Sequence, residues 1–331
     1  MSEYRRDPVT DRWVIIAPDR AQRPREMTFD DEDRLESEYC PFCPGHESAT
    51  PPSIVDFPKD SDHWDVRIVP NKYPAVRSDA DDPGSPSPLF ERRAGLGTHE
   101  VVVESPRHVV SLTDLEADQL ERVVGSWRSR LAELAEDTRL EYALLFKNQG
   151  ARAGATVEHA HSQLMALPMV PTFLEAELQG SRRYFDRHER CVFCDLAEHN
   201  LDSGDRLVYA NDAVVAFAPF ASRFPFELWV TPRGHAAEFQ ATGSTTNAAI
   251  ADALGAVLDR LHQALDDPPY NMAVHTAPLR AGPLEHFHWH IEIIPALSNQ
   301  AGFEWGSGWH INSTPPESAA AHLRKIATDT Y

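Results

Sequence analysis

Lysine is scarce in this chain: Lys59, Lys72, Lys147 and Lys325 are the only four among 31 basic residues, which face 51 acidic ones. The resulting formal charge of −20 excludes nonspecific association with nucleic acid polymers or anionic membranes as the main activity. Any phosphate must be gripped locally. Long apolar runs are missing too, since no stretch reaches the roughly 18 residues of a spanning helix. The opening MSEYRRDPVTDRW has no apolar segment after its charges, as a secretory leader requires. These absences predict a globular cytoplasmic protein, and 331 residues at 42% apolar content suffice for two domains with real cores. Cysteine is equally sparse, with four residues arranged as Cys40-Pro-Phe-Cys43 and Cys191-Val-Phe-Cys194. That is too little for a disulfide framework, and the paired spacing points to metal or redox chemistry.

The two CxxC pairs head two similar passages. After the first come VVVESPRH, ending at His108, and YALLFKNQGARAGATVEHAHSQ; after the second come LWVTPRGH, ending at His235, and YNMAVHTAPLRAGPLEHFHWHIE. Each passage runs CxxC, strand, Pro-Arg turn with histidine, helix, strand, Arg-Ala-Gly, His-x-His. His108 and His159 are 51 residues apart, as are His235 and His286. The chain reads as a duplicated unit, with too few copies for a solenoid.

Thr113-Asp-Leu-Glu116 reads as a capping box, followed by Leu120, Val123, Val124, Trp127, Leu131 and Leu134 at helical spacing. Ile250, Leu254, Val257, Leu258, Leu261 and Leu265 form the matching stripe. Short strands surround each helix, and the absence of regular strand–helix alternation predicts an α+β fold with mainly antiparallel sheets. The predicted halves are residues 1–174 and 175–331, each a sheet with a packed helix. Residues 79–97 read as a Pro/Gly/Ser-rich loop, and residues 175–189 as a charged connection.

The repeat groups Cys40, Cys43, His108 and His159 into one Cys2His2 set and Cys191, Cys194, His235 and His286 into another. Four N/S ligands suit tetrahedral Zn2+ and leave no open position, so both sites are expected to be structural. In the second half HFHWH offers His286, His288 and His290, and Glu177 is a carboxylate suited to a harder metal, so iron is an alternative there.

In TVEHAHSQLMALP, alternation places His159, His161 and Gln163 on one face of a strand. With His159 committed to metal, His161 is free. A neutral imidazole attacks phosphorus well and leaves it well, so His161 can carry a nucleotidyl group between two phosphates. Gln163 can donate an N–H to a phosphoryl oxygen without delivering a proton.

His-x-His-x-Gln resembles the transferase branch of the histidine-triad superfamily, in which Gln stands where hydrolases have a third His. The whole chain resembles the galactose-1-phosphate uridylyltransferase family, through DPVTDRWVIIAPDRAQRP, CPFC, VRIVPNKYPAV, THEVVVESPRH, FKNQGARAGATVEHAHSQ and GFEWGSGWHINSTPPESAA. The resemblance implies a uridylylated His161, Gln163 as phosphate-side stabiliser, and Cys40, Cys43, His108 and His159 as the first metal site. It further implies Arg20 and Arg23 as phosphate contacts, Asn71 near the nucleoside, and Asn148 and Thr156 around the nucleotide. The implied reaction is ping-pong exchange of UMP between UDP-glucose and galactose 1-phosphate, in a homodimer. Two departures stand out: His159-Ala160-His161 in place of His-Pro-His, and no lysine in residues 302–308. Both bring the chain closer to family members acting on adenylyl donors, such as ADP-glucose phosphorylase.

Two rival functions fit parts of the pattern. A dinucleoside-polyphosphate hydrolase passes the nucleotidyl group to water, which Gln163 argues against. A non-enzymatic zinc module accounts for the CxxC pairs but leaves His161 without a purpose. The second half, despite its three histidines and a candidate nucleophile at His288, reads as a structural copy.

Overall fold

The alternating strands assemble into one ten-stranded sheet. The computed structural model describes residues 1–22, 39–59, 61, 63–81, 87 and 89–326. The first half supplies β1 (Glu3–Arg6), β2 (Trp13–Ile16), β3 (Val55–Phe57), β4 (Val66–Pro70), β5 (Thr98–Val103), helix α1 (Ala117–Leu134), β6 (Tyr142–Gln149) and β7 (His161–Leu167). Two helices follow, α2 (Thr172–His188) and α3 (Val192–Ser203). The second half supplies β8 (Leu207–Ala210), β9 (Val214–Phe217), β10 (Leu228–Pro232), α4 (Thr245–Leu265), β11 (Tyr270–His275) and β12 (His290–Pro295). The chain continues through α5 (Gly302–Ser307), β13 (His310–Asn312) and α6 (Pro316–Leu323).

The sheet order is β3-β4-β5-β7-β6-β11-β12-β10-β9-β8, with antiparallel neighbours. Outward from the β6–β11 seam, the order on one side repeats on the other: β6-β7-β5-β4-β3 matches β11-β12-β10-β9-β8. The expected α+β class with mainly antiparallel strands is what the chain forms. Helices α1 and α4 cover one face, where Leu120, Val124, Trp127, Leu254 and Val257 join Leu145, Leu164, Val230 and Val274 in one core. Burial of such side chains, each worth about 1.5–3 kcal/mol, holds the helices to the sheet.

Two local expectations need correction. The capping box belongs to Ser111 and Asp114, on a short 3-10 turn before α1, while Glu116 at the helix start makes no side-chain cap. Ser111 Oγ accepts from Thr113 N and Asp114 accepts from Ser111 N, a tighter closure than Thr113 and Glu116 offer. The charged connection at residues 175–189 is helical: residues 175–188 lie in α2 and Glu189 caps it, and the buried positions of α2 include only one large apolar residue, Leu174, beside Glu177, Gly180 and Ser181. So thin a stripe hides a helix. At Gly180 a Cβ would stand 1.7 Å from Val9 O, so α2 packs directly on the N-terminal backbone. The N-terminal strands stand apart from the large sheet: β1 and β2 form a separate sheet in which β2 runs parallel to β13.

Candidate active site and metal centres

Strand β7 presents alternate residues to opposite faces. Leu164 and Ala166 enter the core under the helices, and Ser162 accepts a hydrogen bond from Trp127 Nε1 at 2.9 Å. His161 and Gln163 therefore face the other way. His159 precedes the strand rather than lying in it.

His161 Nδ1 lies 2.8 Å from the carbonyl oxygen of His159. A carbonyl only accepts, so Nδ1 carries the proton and Nε2 keeps its lone pair. Burial holds the ring down to about 4, helped by the Lys147 charge and opposed by the bond to the His159 carbonyl. The imidazole is thus neutral near pH 7 and fixed in its nucleophilic tautomer. The ring of Phe42 meets it edge-on at 5.3 Å.

Gln163 is oriented in a similar way, by a residue that sequence reasoning missed. His99 Nδ1 accepts from Ala75 N at 3.1 Å, so Nε2 is protonated and donates to Gln163 Oε1 at 2.9 Å. With its oxygen engaged, Gln163 is left with its amide donors for a ligand, and no hydrogen bond from Nε2 occurs among the described residues. His99 stands on β5 in the strand neighbouring β7. The only sequence signal was a polar ring opening the apolar run HEVVV.

The first metal set converges as expected. Cys40 Sγ lies 3.5 Å from His159 Nδ1, and Cys43 Sγ lies 3.3 Å from His108 Nδ1 and 3.6 Å from His159 Nδ1. Zinc bonds of about 2.3 Å to sulfur and 2.0–2.1 Å to nitrogen place S and N about 3.6 Å apart in a tetrahedron, so these residues fit the ion. His159 Nε2 donates to Ser105 O at 2.8 Å, the outer contact that fixes a ligating imidazole. Burial and the neighbouring Cys40 push the Cys43 thiol up to about 11, so a bound cation is what would allow both sulfurs to ionise.

The second set forms from Cys191, Cys194, His235 and His288, not His286. Cys194 Sγ lies 3.4 Å from His235 Nδ1 and 3.6 Å from His288 Nδ1, whereas His286 offers only its backbone oxygen to Cys191 Sγ at 3.6 Å. Equal spacing misled because the second half carries two extra residues between its histidines. The converging ligands give the correct phase, His159 with His288, and the pairing carries it along the strands: Phe146 faces Gln163 across β6 and β7, and Ala273 faces Glu292 across β11 and β12. His159, His161 and Gln163 therefore correspond to His288, His290 and Glu292. Both sets share one burial order, from a buried first cysteine through a half-buried cysteine and an exposed histidine to a buried histidine.

The same correction moves the other expectations for the second half. The counterpart of the nucleophile is His290, not His288, and it is 0% exposed, stacked on Phe193 at 5.1 Å. A phosphate has no approach to it. Glu177 does not join the cysteines either; it groups with His275, His290 and Glu292, all buried. Glu177 accepts from His275 Nδ1 at 3.0 Å, and Arg223 reaches Glu292 at 2.5 Å and Glu227 at 3.0 Å. The carboxylate that made iron an alternative for the second set therefore lies outside that set, in a group where a guanidinium already compensates part of the negative charge.

The remaining expected contacts are less concentrated. Asn71 Nδ2 lies 3.2 Å from His99 Nε2, and its Oδ1 accepts from Tyr73 N, placing Asn71 on the Gln163 side. Asn148 Oδ1 accepts from Asn271 Nδ2 at 3.0 Å, a partner from the second half that sequence reasoning missed. Thr156 is exposed in the loop before β7. Arg20 is exposed on the 3-10 turn Pro18–Gln22 and makes no side-chain contact with the His161 group among the described residues. Arg23 lies outside the described residues.

With this geometry in view, the comparisons with known proteins are informative. A family model described as galactose-1-phosphate uridyl transferase, N-terminal domain, matches residues 1–171, and a domain of unknown function matches residues 97–328. The ADP-glucose phosphorylase of Arabidopsis thaliana is 34% identical over 98% of this chain and 93% of that protein. The galactose-1-phosphate uridylyltransferase of Thermotoga maritima is 27% identical over 99% of this chain and all (100%) of that one. A crystal structure of the Arabidopsis ADP-glucose phosphorylase with bound ADP-glucose superposes with a TM-score of 0.88 at 33% identity, covering 99% of this chain and 100% of that one. A uridylyltransferase structure gives 0.78 at 31% identity, covering 98% of each chain. The duplicated sheet, the freed imidazole with its glutamine and these relatives together mean that the chain belongs to the galactose-1-phosphate uridyl transferase family of nucleotidyl-transferring enzymes.

Proposed function

We propose that this protein transfers the adenylyl group of ADP-glucose to inorganic phosphate through a covalent adenylyl-His161 intermediate. The observation that carries the double displacement is the paired fixing of His161 by the His159 carbonyl and of Gln163 by His99. His161 Nε2 attacks the adenylyl phosphorus, the bond to the bridging oxygen breaks, and glucose 1-phosphate leaves. An oxygen of inorganic phosphate then attacks the same phosphorus, breaking the P–N bond, and ADP departs with His161 regenerated. Gln163 contributes an amide donor to the phosphoryl oxygens in both steps and has no proton to give a leaving group.

The choice of adenylyl donor rests on two supports. The Arabidopsis phosphorylase shares 34% of residues, against 27% for the Thermotoga uridylyltransferase. His-Ala-His and the lysine-free residues 302–308 point the same way. Uridylyl exchange between UDP-glucose and galactose 1-phosphate is the second reading, favoured by the family model across residues 1–171.

Zn2+ is the ion we assign to both Cys2His2 sets, as structural support that braces His159 next to the nucleophile. Arg20, Arg23, Asn148, Thr156 and Asn71 remain the proposed contacts to nucleotide and phosphates, in a cytoplasmic homodimer of two duplicated halves. Intact-protein mass after mixing with ADP-glucose or UDP-glucose, without acceptor, tests the reading. An adenylyl adduct from ADP-glucose alone supports it, and a uridylyl adduct from UDP-glucose alone replaces it with the second reading. No adduct from either donor removes the transferase.

A further inference from the structure

Behind the nucleophile, on the helix-covered face of the sheet, lies a buried ion pair. Lys147 is 1% exposed and Glu104 is 0% exposed. Lys147 Nζ donates to Glu104 Oε2 at 2.7 Å and to the backbone oxygen of His161 at 2.9 Å.

The duplicated half supplies a comparison within the same chain. Because Phe146 faces Gln163 and Ala273 faces Glu292, Lys147 corresponds to Val274. Val101 faces Gln163 and Trp229 faces Glu292, so by the same register Glu104 corresponds to Pro232. Val274 is 0% exposed in the common core, and Pro232 is buried at the end of β10. The fold thus closes at this place with two apolar side chains. A buried ion pair is generally no more stabilising than apolar residues of similar volume. Here Glu104 Oε1 also lacks a hydrogen-bond partner among the described residues, a cost of about 1–3 kcal/mol that an apolar side chain escapes. Core stability does not explain the pair.

The strand ladder differs between the halves at this place. In the second half, β11 and β12 stay paired through His275 and His290. In the first half, pairing of β6 and β7 stops at Phe146 and Gln163, although the equivalent of the last pair would be Asn148 with His161. Glu104 N donates to Ala160 O, so alternation turns the His161 carbonyl toward β6, where the ladder has ended. The strands part there, and Asn148 leads into the loop at Gly150, whose φ of +80° starts a turn away from the sheet. Lys147 reaches across and donates to that carbonyl. Its neighbour in the arrangement, Ser105, accepts from His159 Nε2. Two successive residues at the end of β5 therefore hold both histidines, Glu104 through Lys147 and Ser105 directly.

We infer that Lys147, anchored by Glu104, is a positioning residue for the nucleophile: it replaces the missing ladder donor to the His161 carbonyl, so that the strands can separate around the nucleotide without releasing the His161 backbone. This inference rests on the nucleotidyl-His161 reading above. It is tested by replacing the ion pair with apolar side chains, in the double variant Glu104→Val, Lys147→Val of the full chain. Expected are wild-type zinc content, a melting temperature unchanged or raised, a KM for the sugar nucleotide within about threefold, and formation of the nucleotidyl adduct slowed by about tenfold or more. A nearly isosteric pair, Glu104→Gln with Lys147→Met, serves should the valines not fold. A folded variant that forms adduct at the wild-type rate overturns the inference. So does loss of zinc together with rate, or failure of both variants to fold, because each makes the pair part of the general scaffold. If the functional reading itself is wrong, the wild-type chain forms no adduct, which separates that failure from a normal rate in the variants.

Discussion

His99 holds Gln163 by its carbonyl side: Nε2 donates to Gln163 Oε1 at 2.9 Å while Nδ1 accepts from Ala75 N at 3.1 Å. The amide is thereby denied a flip, and its donors are kept on the side of the ligand. In His99→Ala, Gln163 is free to rotate, and an incoming phosphate must order it. Loss of one such bond, worth about 1 kcal/mol, corresponds to about fivefold to tenfold slower adduct formation. Stopped mass measurements on the variant check this, and a rate equal to wild type means that His99 does not orient the amide.

His161→Gly removes the ring that receives the nucleotidyl group. The ring makes contact with Phe42 and the His159 carbonyl and lies outside the Cys2His2 set. No adduct should form, while zinc measured by plasma spectrometry stays at the wild-type ratio. A variant that loses metal instead would make His161 the ligand in place of His159.

Much of this was legible in the sequence because the signals were periodic or repeated. The core stripes of α1 and α4 and the alternation of β6 and β7 follow from burial of one face, while β5, β10 and β12 read as short apolar runs buried on both faces. The first metal set was readable since CxxC and His-x-His each carry short, fixed spacing. The second was misassigned through His286, because spacing across a whole helix counts loop residues that the fold does not conserve. The convergence of side chains on the cysteines, which only the fold reveals, selects His288. Helix α2 escaped because its buried face is small and polar, at Gly180, Ser181 and Glu177. His99 and Asn271 escaped because each acts through a partner far away in sequence, and no local pattern marks such a contact.

Gln163→His places a titratable ring where an amide now stands. An imidazole can pass a proton to or from water, which an amide cannot do, and general acid–base help of this kind is worth about 10²-fold or more. The variant should therefore release free nucleotide from its adduct at least about tenfold faster in the absence of acceptor. Chromatography of released nucleotide over time decides the matter. Equal adduct lifetimes in the two proteins would remove the argument that Gln163 protects the intermediate from hydrolysis.

His286 and His288 can be separated by metal content alone. The His288 ring points Nδ1 at Cys194 Sγ at 3.6 Å and is 0% exposed, whereas His286 contributes only a backbone oxygen near Cys191. His288→Ala removes one of four ligands from a set whose remaining histidine, His235, is exposed. Zinc should fall from two ions per chain to one, with a lower melting temperature, since a structural zinc site contributes to folding directly. His286→Ala keeps the backbone oxygen and all four ligand atoms, so both ions and the melting temperature should remain. Because the first set and His161 sit across the β6–β11 seam, His288→Ala protein that stays folded should still form adduct at a rate close to wild type. Retention of two ions in His288→Ala, or loss of one in His286→Ala, would return the ligand role to His286 and undo the register that equates Lys147 with Val274.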